Sequence, residues 1–424
     1  MLAKRFLMRG GSLSRPVWDI SGCFQWRNSC GVEGVKPAAE RVFGLDVMRA
    51  TAITLVLVNH GGIWFAKQRL VFGIACVSGY LGVELFFVLS GFLIGSILFS
   101  WLTNPDSNTT LVGFWRRRWL RTLPNYFLFL VINALVGVWF YHSWPPVWRY
   151  TLFLQNFSSA PGHFFGESWS LAIEEWFYLV IPLLFVVAVR LSPKSFRGNS
   201  LFISCTVIGI VTIARGIYVV ATEPMWMTGV REIVIYRLDA CMFGVVAAWV
   251  KHFYPLRWRQ PSLIFLVGGI TMLMAIALSP FVLPRDSMFL QTAGFSFTSL
   301  AAAFLLPRLD AWMTTVRRGY FARMVVNISL WSYSLYLVQM LVFQLVSRWL
   351  PNSGAVSHEA AFAILCPLLA AVVYSFYEKP IMNLRDRGRN QLSASRTRSD
   401  RIVRLATAKP SGRSEQPCGV TALQ

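Results

Sequence analysis

Arg49 and His60 stand eleven residues apart in one apolar segment. At 100° per residue they fall about 20° from eclipsed and about 16 Å apart along a helix axis. They share one face at two depths. An imidazole held by a carboxylate makes a general base, because the carboxylate orients the ring and stabilises its cation. Glu84, in Gly82-Val83-Glu84-Leu85-Phe86-Phe87, is one candidate for that carboxylate. In a helix that enters from the outer side at Tyr80 it lies about 6 Å deep, against about 9 Å for His60. Glu174 and Glu175 open a later helix from the same side, and Asp239 sits in the outer part of another. The competing account makes His60 a structural histidine bonded to a neighbouring helix. On that account Glu175 and Asp239 neutralise Arg231 and Arg237 at the rim.

A second chemistry gathers at the other face. Arg116, Arg117, Arg118 and Arg121 precede an apolar run, with Arg118 and Arg121 one turn apart, and paired guanidinium groups grip phosphate bidentately. Arginines at a cytosolic helix start are also what membrane topology alone requires. Together with Arg49 they suit a phosphate-rich cytosolic donor whose long arm reaches outward to His60. Ser90-Gly91-Phe92-Leu93-Ile94-Gly95 has the spacing of close helix packing rather than of a nucleophile. Trp144, Trp148 and Trp169 suit either sugar stacking or an interfacial aromatic belt. The seven cysteines are scattered without a CxxC pair, so neither a disulfide framework nor a metal site is expected.

The elements that must position these residues are membrane helices. Of 424 residues, 55% are hydrophobic and 14% charged, with a mean hydropathy of +0.52. That composition excludes disorder, collagen and an ordinary soluble domain. Apolar runs of crossing length predict an all-α polytopic integral membrane protein of about ten helices. They are expected near Val47–Ala66, Tyr80–Leu102, Leu120–Tyr141, Ser170–Val189, Leu201–Ala221, Ile233–Val250, Leu263–Phe281, Met288–Leu306, Val325–Val346 and Ala360–Phe376. Alternate loops then hold 31 basic residues on one side and 7 on the other, which predicts both termini in the cytosol. The net charge of +21 is thereby read as topology, with no nucleic acid as partner. Residues 1–42 are expected to form a cytosolic segment without a signal peptide, 43–384 the transmembrane domain, and 385–424 a disordered basic tail drawn to anionic lipid. No internal repeat is evident by eye, which weighs against a transporter of duplicated halves.

In this setting the chain resembles the acyltransferase-3 family of membrane O-acyltransferases over roughly Phe43 to Arg385. Seven motifs in order carry the resemblance. The first is Gly44-Leu45-Asp46-Val47-Met48-Arg49 followed by Asn59-His60, similar to that family's arginine, ten residues, histidine pattern. Then come Gly82 to Phe92, Arg118-Trp119-Leu120-Arg121-Thr122-Leu123-Pro124, Ser168-Trp169-Ser170-Leu171-Ala172-Ile173-Glu174, Arg237-Leu238-Asp239, Ser332-Tyr333-Ser334-Leu335-Tyr336-Leu337 and Tyr377-Glu378-Lys379-Pro380. The resemblance implies a multi-pass enzyme that moves an acyl group, commonly acetyl from acetyl-CoA, to a hydroxyl of an extracytoplasmic carbohydrate or lipid-linked glycan. It also marks Arg49, His60, Arg118 and Arg121 as functional. One departure stands out: many relatives carry a histidine after the Ser-Tyr-Ser-Leu-Tyr-Leu segment, and this chain has Val338-Gln339. Glutamine cannot accept a proton comparably.

The resulting expectation is an O-acyltransferase of the bacterial inner membrane with no bound cofactor and acyl-CoA as co-substrate. Arg49, Arg118 and Arg121 bind the donor. His60 is general base or transient acyl carrier, oriented by Glu84 or Glu174, while Asp239 and Trp169 are acceptor-side or structural. Its partners are acyl-CoA, the extracytoplasmic glycan or lipid-linked sugar, and membrane lipids. The rivals are a proton-coupled transporter or glycan exporter using His60, Glu84 and Asp239, and a catalytically dead scaffold.

Overall fold

The computed structural model describes residues 41–104, 107, 109–141, 146–162, 164–260, 262–281, 287–312 and 319–384, and every regular element among them is helical. The expected N-terminal segment up to residue 40, the basic tail from 385, Trp144 and Arg285 lie outside the described residues. The helices are α1 (Phe43–Gly61), α2 (Arg69–Leu102), α3 (Leu111–Tyr141), α4 (Val147–Thr151), α5 (Ser168–Leu191), α6 (Phe196–Thr222), α7 (Leu238–Phe253), α8 (Pro255–Arg259), α9 (Leu263–Leu278), α10 (Met288–Gln291), α11 (Ala293–Ala311), α12 (Tyr320–Trp349) and α13 (Ala355–Val373). Two π-helical stretches, Trp226–Arg231 and Tyr374–Glu378, precede α7 and follow α13.

Among the described residues, six helical stretches are long and apolar enough to cross a membrane: Arg69–Leu102, Leu111–Trp139, Ser168–Leu191, Pro193–Thr222, Tyr320–Trp349 and Ala355–Leu384. The other four expected runs fall on α1, α7, α9, and the pair α10 and α11, which are shorter or less apolar. The run expected as Met288–Leu306 breaks at Thr292, whose φ of −118° and ψ of −89° leave the helical region. Prolines stand inside α3, α5, α11 and α13 (Pro124, Pro182, Pro307, Pro367). Membrane helices tolerate them because neighbours re-satisfy the freed carbonyls.

At the centre, α2 packs against α1, α7, α11 and α5. Small residues set its approach. A Cβ on Gly91 would lie 1.8 Å from the Cys241 carbonyl oxygen, and one on Gly244 would lie 2.0 Å from that of Val88. The α2–α7 crossing is thus glycine against backbone from both sides, the contact that brings helices close without a hydrophobic drive. Ser90-Gly91 and Gly95 serve this packing, with Gly95 facing Ala248. Exposed apolar side chains line α6, α9 and α13, including Phe202, Ile213, Ile217, Ile264 and Leu368.

One boundary changes the depth of a candidate residue. α2 begins at Arg69, eleven residues before the expected start at Tyr80. The apolar run from Leu70 continues through Ser78-Gly79, where Gly79, inside the helix, packs on Asn59. Glu84 is therefore about 22 Å along α2, not about 6 Å. Gly79 abuts Asn59, and Gly82 abuts Ala52, Leu55 and Val56, so Glu84 lies well inward of His60.

Candidate functional site

α1 and α12 run parallel, and two side-chain contacts a register step apart join them. Arg49 Nη1 donates to Ser329 Oγ at 3.1 Å, and His60 Nδ1 meets Gln339 Oε1 at 3.2 Å. Eleven residues on α1 match ten on α12, so the predicted shared face of Arg49 and His60 is the face turned to α12. At the Arg49 end, Asp46 accepts from Ser329 at 2.7 Å, from Arg41 at 2.6 Å and from Arg49 at 3.4 Å. An acid in the first turn of α1 also complements the helix dipole. A cavity of about 290 Å³ opens beside it, lined by Arg41, Phe43, Asp46, Ala322, Arg323, Val326 and Asn327.

At the other end, His60 Nδ1 lies 3.1 Å from the Val56 carbonyl as well as against Gln339. Both partners are oxygen acceptors, so the proton is assigned to Nδ1 and Nε2 keeps its lone pair. Neither Glu84 nor Glu174 is bonded to His60. The expected carboxylate is replaced by an amide, which orients the ring without offering it a negative charge.

Glu84 and Glu174 are engaged elsewhere for a physical reason: buried charges must be paired. Glu84 pairs with Arg237 and accepts from Ser299 at 2.9 Å. Glu174 accepts from Ser90 at 2.9 Å and from Tyr178 at 2.7 Å. Asp239 forms a fully buried pair with Arg215, at 3.0 and 3.2 Å, with Ser296 bonded at 2.9 Å. The helix arginine Arg215 thus takes the acid that sequence spacing offers to the rim, and Asp239 ties α6, α7 and α11 together. Glu175 accepts from Thr122 at 2.8 Å. A proton-linked cluster of His60, Glu84 and Asp239 does not assemble.

The arginines do assemble. Arg118 donates to the Tyr178 hydroxyl, sits 4.0 Å over that ring and lies 3.8 Å from Glu174. Arg118 and Arg121 are within electrostatic reach of each other and of Arg49. Arg121 is exposed, as are Arg116 and Arg117, whereas Arg118 and Arg49 are half-buried. Among the described residues, the guanidinium groups of Arg49, Arg118 and Arg121 have two carboxylates within 4 Å, Asp46 and Glu174. Such an arrangement favours a polyanion.

The remaining motif residues build the frame. Glu378, on the second π-helical stretch, accepts from Asn125 at 3.0 Å and from Ser334 at 2.6 Å. Tyr333 donates to the Thr122 carbonyl at 2.8 Å, and Tyr377 to that of Pro124 at 3.3 Å. These bonds fix α3 against α12 and the π-helical stretch, with Arg118 and Arg121 within electrostatic reach of Arg49.

Two connections are joined to each other. The segment before α5 meets the segment before α7 through backbone bonds from Val234 to Asn156 (3.0 Å) and from Ile235 to Phe157 (3.3 Å). Asn156 also donates to the carbonyls of Trp169 and Glu232. Tyr336 shares a 2.5 Å bond with Ser170 and donates to the Glu167 carbonyl at 3.1 Å. Burial pushes the Glu167 carboxyl up to about 8. It pushes Glu232 up to about 7, against the opposing pull of Arg231. Trp169 is buried against Phe87 rather than open to a ligand, while Trp148 is exposed. Sequence reasoning missed Ser329, Tyr178 and Asn125 as partners. Only Tyr178 had a local signal, one turn after Glu174 and so on the same face. Among the described residues no cluster of three His, Cys, Asp or Glu side chains offers a metal site.

Comparison with known proteins agrees with this frame. The acyltransferase-domain family model matches residues 42–377. The O-acetyltransferase OatA of Staphylococcus aureus strain NCTC 8325 is 24% identical over 369 residues, covering 80% of this chain and 57% of that protein. The OatA of strain COL matches to the same extent. The chain therefore spans little more than half the length of these relatives. No solved structure matches. The apolar helices and the family make this an integral membrane protein.

Proposed function

Since the chain belongs to the acyltransferase-domain family, we propose that it is a membrane O-acyltransferase moving an acyl group, acetyl foremost, from cytosolic acyl-CoA to a hydroxyl of an extracytoplasmic carbohydrate or glycolipid. Its setting in this proposal is the bacterial inner membrane, with both termini in the cytosol. The reading is carried by one geometry: Arg49 and His60 stand at two ends of the same α1 face, bonded to Ser329 and Gln339 of α12, with Arg118 and Arg121 within electrostatic reach of Arg49.

The chemistry follows from that separation. CoA phosphates lie against Arg49, Arg118 and Arg121, where charge-assisted bonds are worth about 1.5–3 kcal/mol each. The pantetheine arm spans the roughly 16 Å to His60. There Nε2 takes the proton of the acceptor hydroxyl as its oxygen attacks the thioester carbon, and the thiolate leaves. In the covalent variant Nε2 attacks first and carries the acyl group to the acceptor. Gln339 keeps the ring in one tautomer in either route.

Purified protein in nanodiscs, given radiolabelled acetyl-CoA and envelope glycolipids, tests this. Label should pass to glycolipid with wild type and fail with His60→Ala at equal folded protein. Wild-type rates in the variant would remove His60 from the mechanism, and a wild type that neither binds nor turns over CoA would remove the acyltransferase reading.

A further inference from the structure

The buried arginines of this bundle differ in one respect. Arg215 and Arg237 each face a carboxylate, Asp239 and Glu84. Arg231 is also buried, at 8% exposure, yet among the described residues no carboxylate lies within 4 Å of it. Its Nη2 donates to the Gly79 carbonyl at 3.2 Å, and its Nε is buried without a partner. The guanidinium is caged by three rings, 4.9 Å from Trp169 and 5.7 Å from both Tyr80 and Trp226. Glu232, its neighbour in the chain, and Glu84 act on it through space without bonding it. A cation kept from water without a bonded counter-ion is unfavourable in an apolar bundle, and aromatic faces offset only part of that penalty. The site is built for a negative charge that arrives with the reaction or the substrate.

Its position identifies which charge. Gly79, which accepts from Arg231, abuts Asn59 so closely that a Cβ there would lie 2.4 Å from Asn59 Cγ, and Asn59 precedes His60. Arg231 is within electrostatic reach of His60, and of Tyr336 one turn before Gln339. The residue ends a π-helical stretch, a distortion that re-aims side chains at functional sites.

Resting on the acyltransferase reading, we propose that Arg231 is a catalytic residue that binds the oxyanion formed when the acyl carbonyl is attacked beside His60. The acceptor hydroxyl gives its proton to His60 Nε2 and its oxygen bonds to the acyl carbon, moving the carbonyl π pair onto the oxygen facing Arg231. Collapse of that oxyanion restores the C=O bond and breaks the C–S bond, and the leaving thiolate takes the proton from His60. A preorganised cation in a water-poor site lowers this barrier without reorganising as charge develops.

Kinetics of Arg231→Gln and Arg231→Lys beside wild type and His60→Ala, in nanodiscs with acetyl-CoA and a glycolipid acceptor, test the assignment. Size-exclusion profiles and thermal midpoints check folding. Arg231→Gln should lose about 10²–10³-fold in kcat with both KM values unchanged. Arg231→Lys, which keeps the charge and serves if the glutamine variant does not fold, should recover part of that loss. Wild-type kcat per folded Arg231→Gln protein, with His60→Ala inactive, overturns this assignment alone. So does a loss confined to acceptor KM, which would make Arg231 a ground-state site for an anionic acceptor. An inactive wild type, or an active His60→Ala, overturns the acyltransferase reading and this one with it.

Discussion

Gln339 sits where the resemblance leads one to expect a second imidazole, and the contact it makes decides what that exchange means. Its Oε1 accepts from His60 Nδ1, so an orienting bond survives while a second proton acceptor is lost. The scaffold reading draws its weight from this position, and the retained bond weakens it. The arginines pose a separate question, because topology alone would also place them at a cytosolic helix start. If Arg118 and Arg121 hold donor phosphate, replacing either by alanine should weaken acetyl-CoA binding about 10–100-fold, the equivalent of one charge-assisted bond. Calorimetry on purified protein reads this directly, and unchanged affinity would leave them a topological role only. The spacing of Arg49, His60, Arg118 and Arg121 was legible in sequence because each pair lies within one helix, where the period fixes the face. The partner of His60 was not, since it lies 279 residues away, and helical periodicity carries no information between segments.

At the scale of the element, the α2–α7 crossing fixes Glu84, Ser90 and the Arg237 pair in place. It depends on the missing side chain at Gly244, where an ideal Cβ would fall 2.0 Å from the Val88 carbonyl oxygen and 2.6 Å from the Phe92 nitrogen. Both are backbone atoms that cannot swing aside. Gly244→Ala should therefore destabilise the protein by about 1–3 kcal/mol, the usual range for overpacking. Gly209 on α6 has nothing within 4 Å of its Cβ position. Gly209→Ala should leave the thermal midpoint unchanged or raise it, through helix propensity alone. Equal midpoints for the two variants in detergent would show that the crossing is not close-packed. The small-residue spacing at Gly91 and Gly95 announced a close crossing, but not that α7 was its partner. Helix ends were the least legible feature: α2 extends back to Arg69, because helix formation past Ser78-Gly79 is settled by what packs on that turn.

For the whole molecule, the distribution of basic residues makes a claim about sidedness that single-cysteine labelling tests. In a background without native thiols, Arg257→Cys in α8 should be shielded from an impermeant maleimide in intact cells, and Arg149→Cys in α4 should react. Both positions are exposed in the structure. The reverse pattern would invert the membrane orientation and place His60 on the cytosolic side. The helical membrane class, the presence of a helix on each apolar run and the Arg49–His60 face were determined by sequence alone. Hydropathy and periodicity are sums over neighbouring residues and need no knowledge of what they pack against. Charge pairing is different in kind. Glu84 and Asp239 were equally available to His60, to Arg231 or to other arginines, and only the tertiary structure assigned them to Arg237 and Arg215. In a low-dielectric bundle these two carboxylates go to cations within reach. Reach is set by how the helices pack, which left His60 to an amide and Arg231, among the described residues, with no carboxylate within bonding distance.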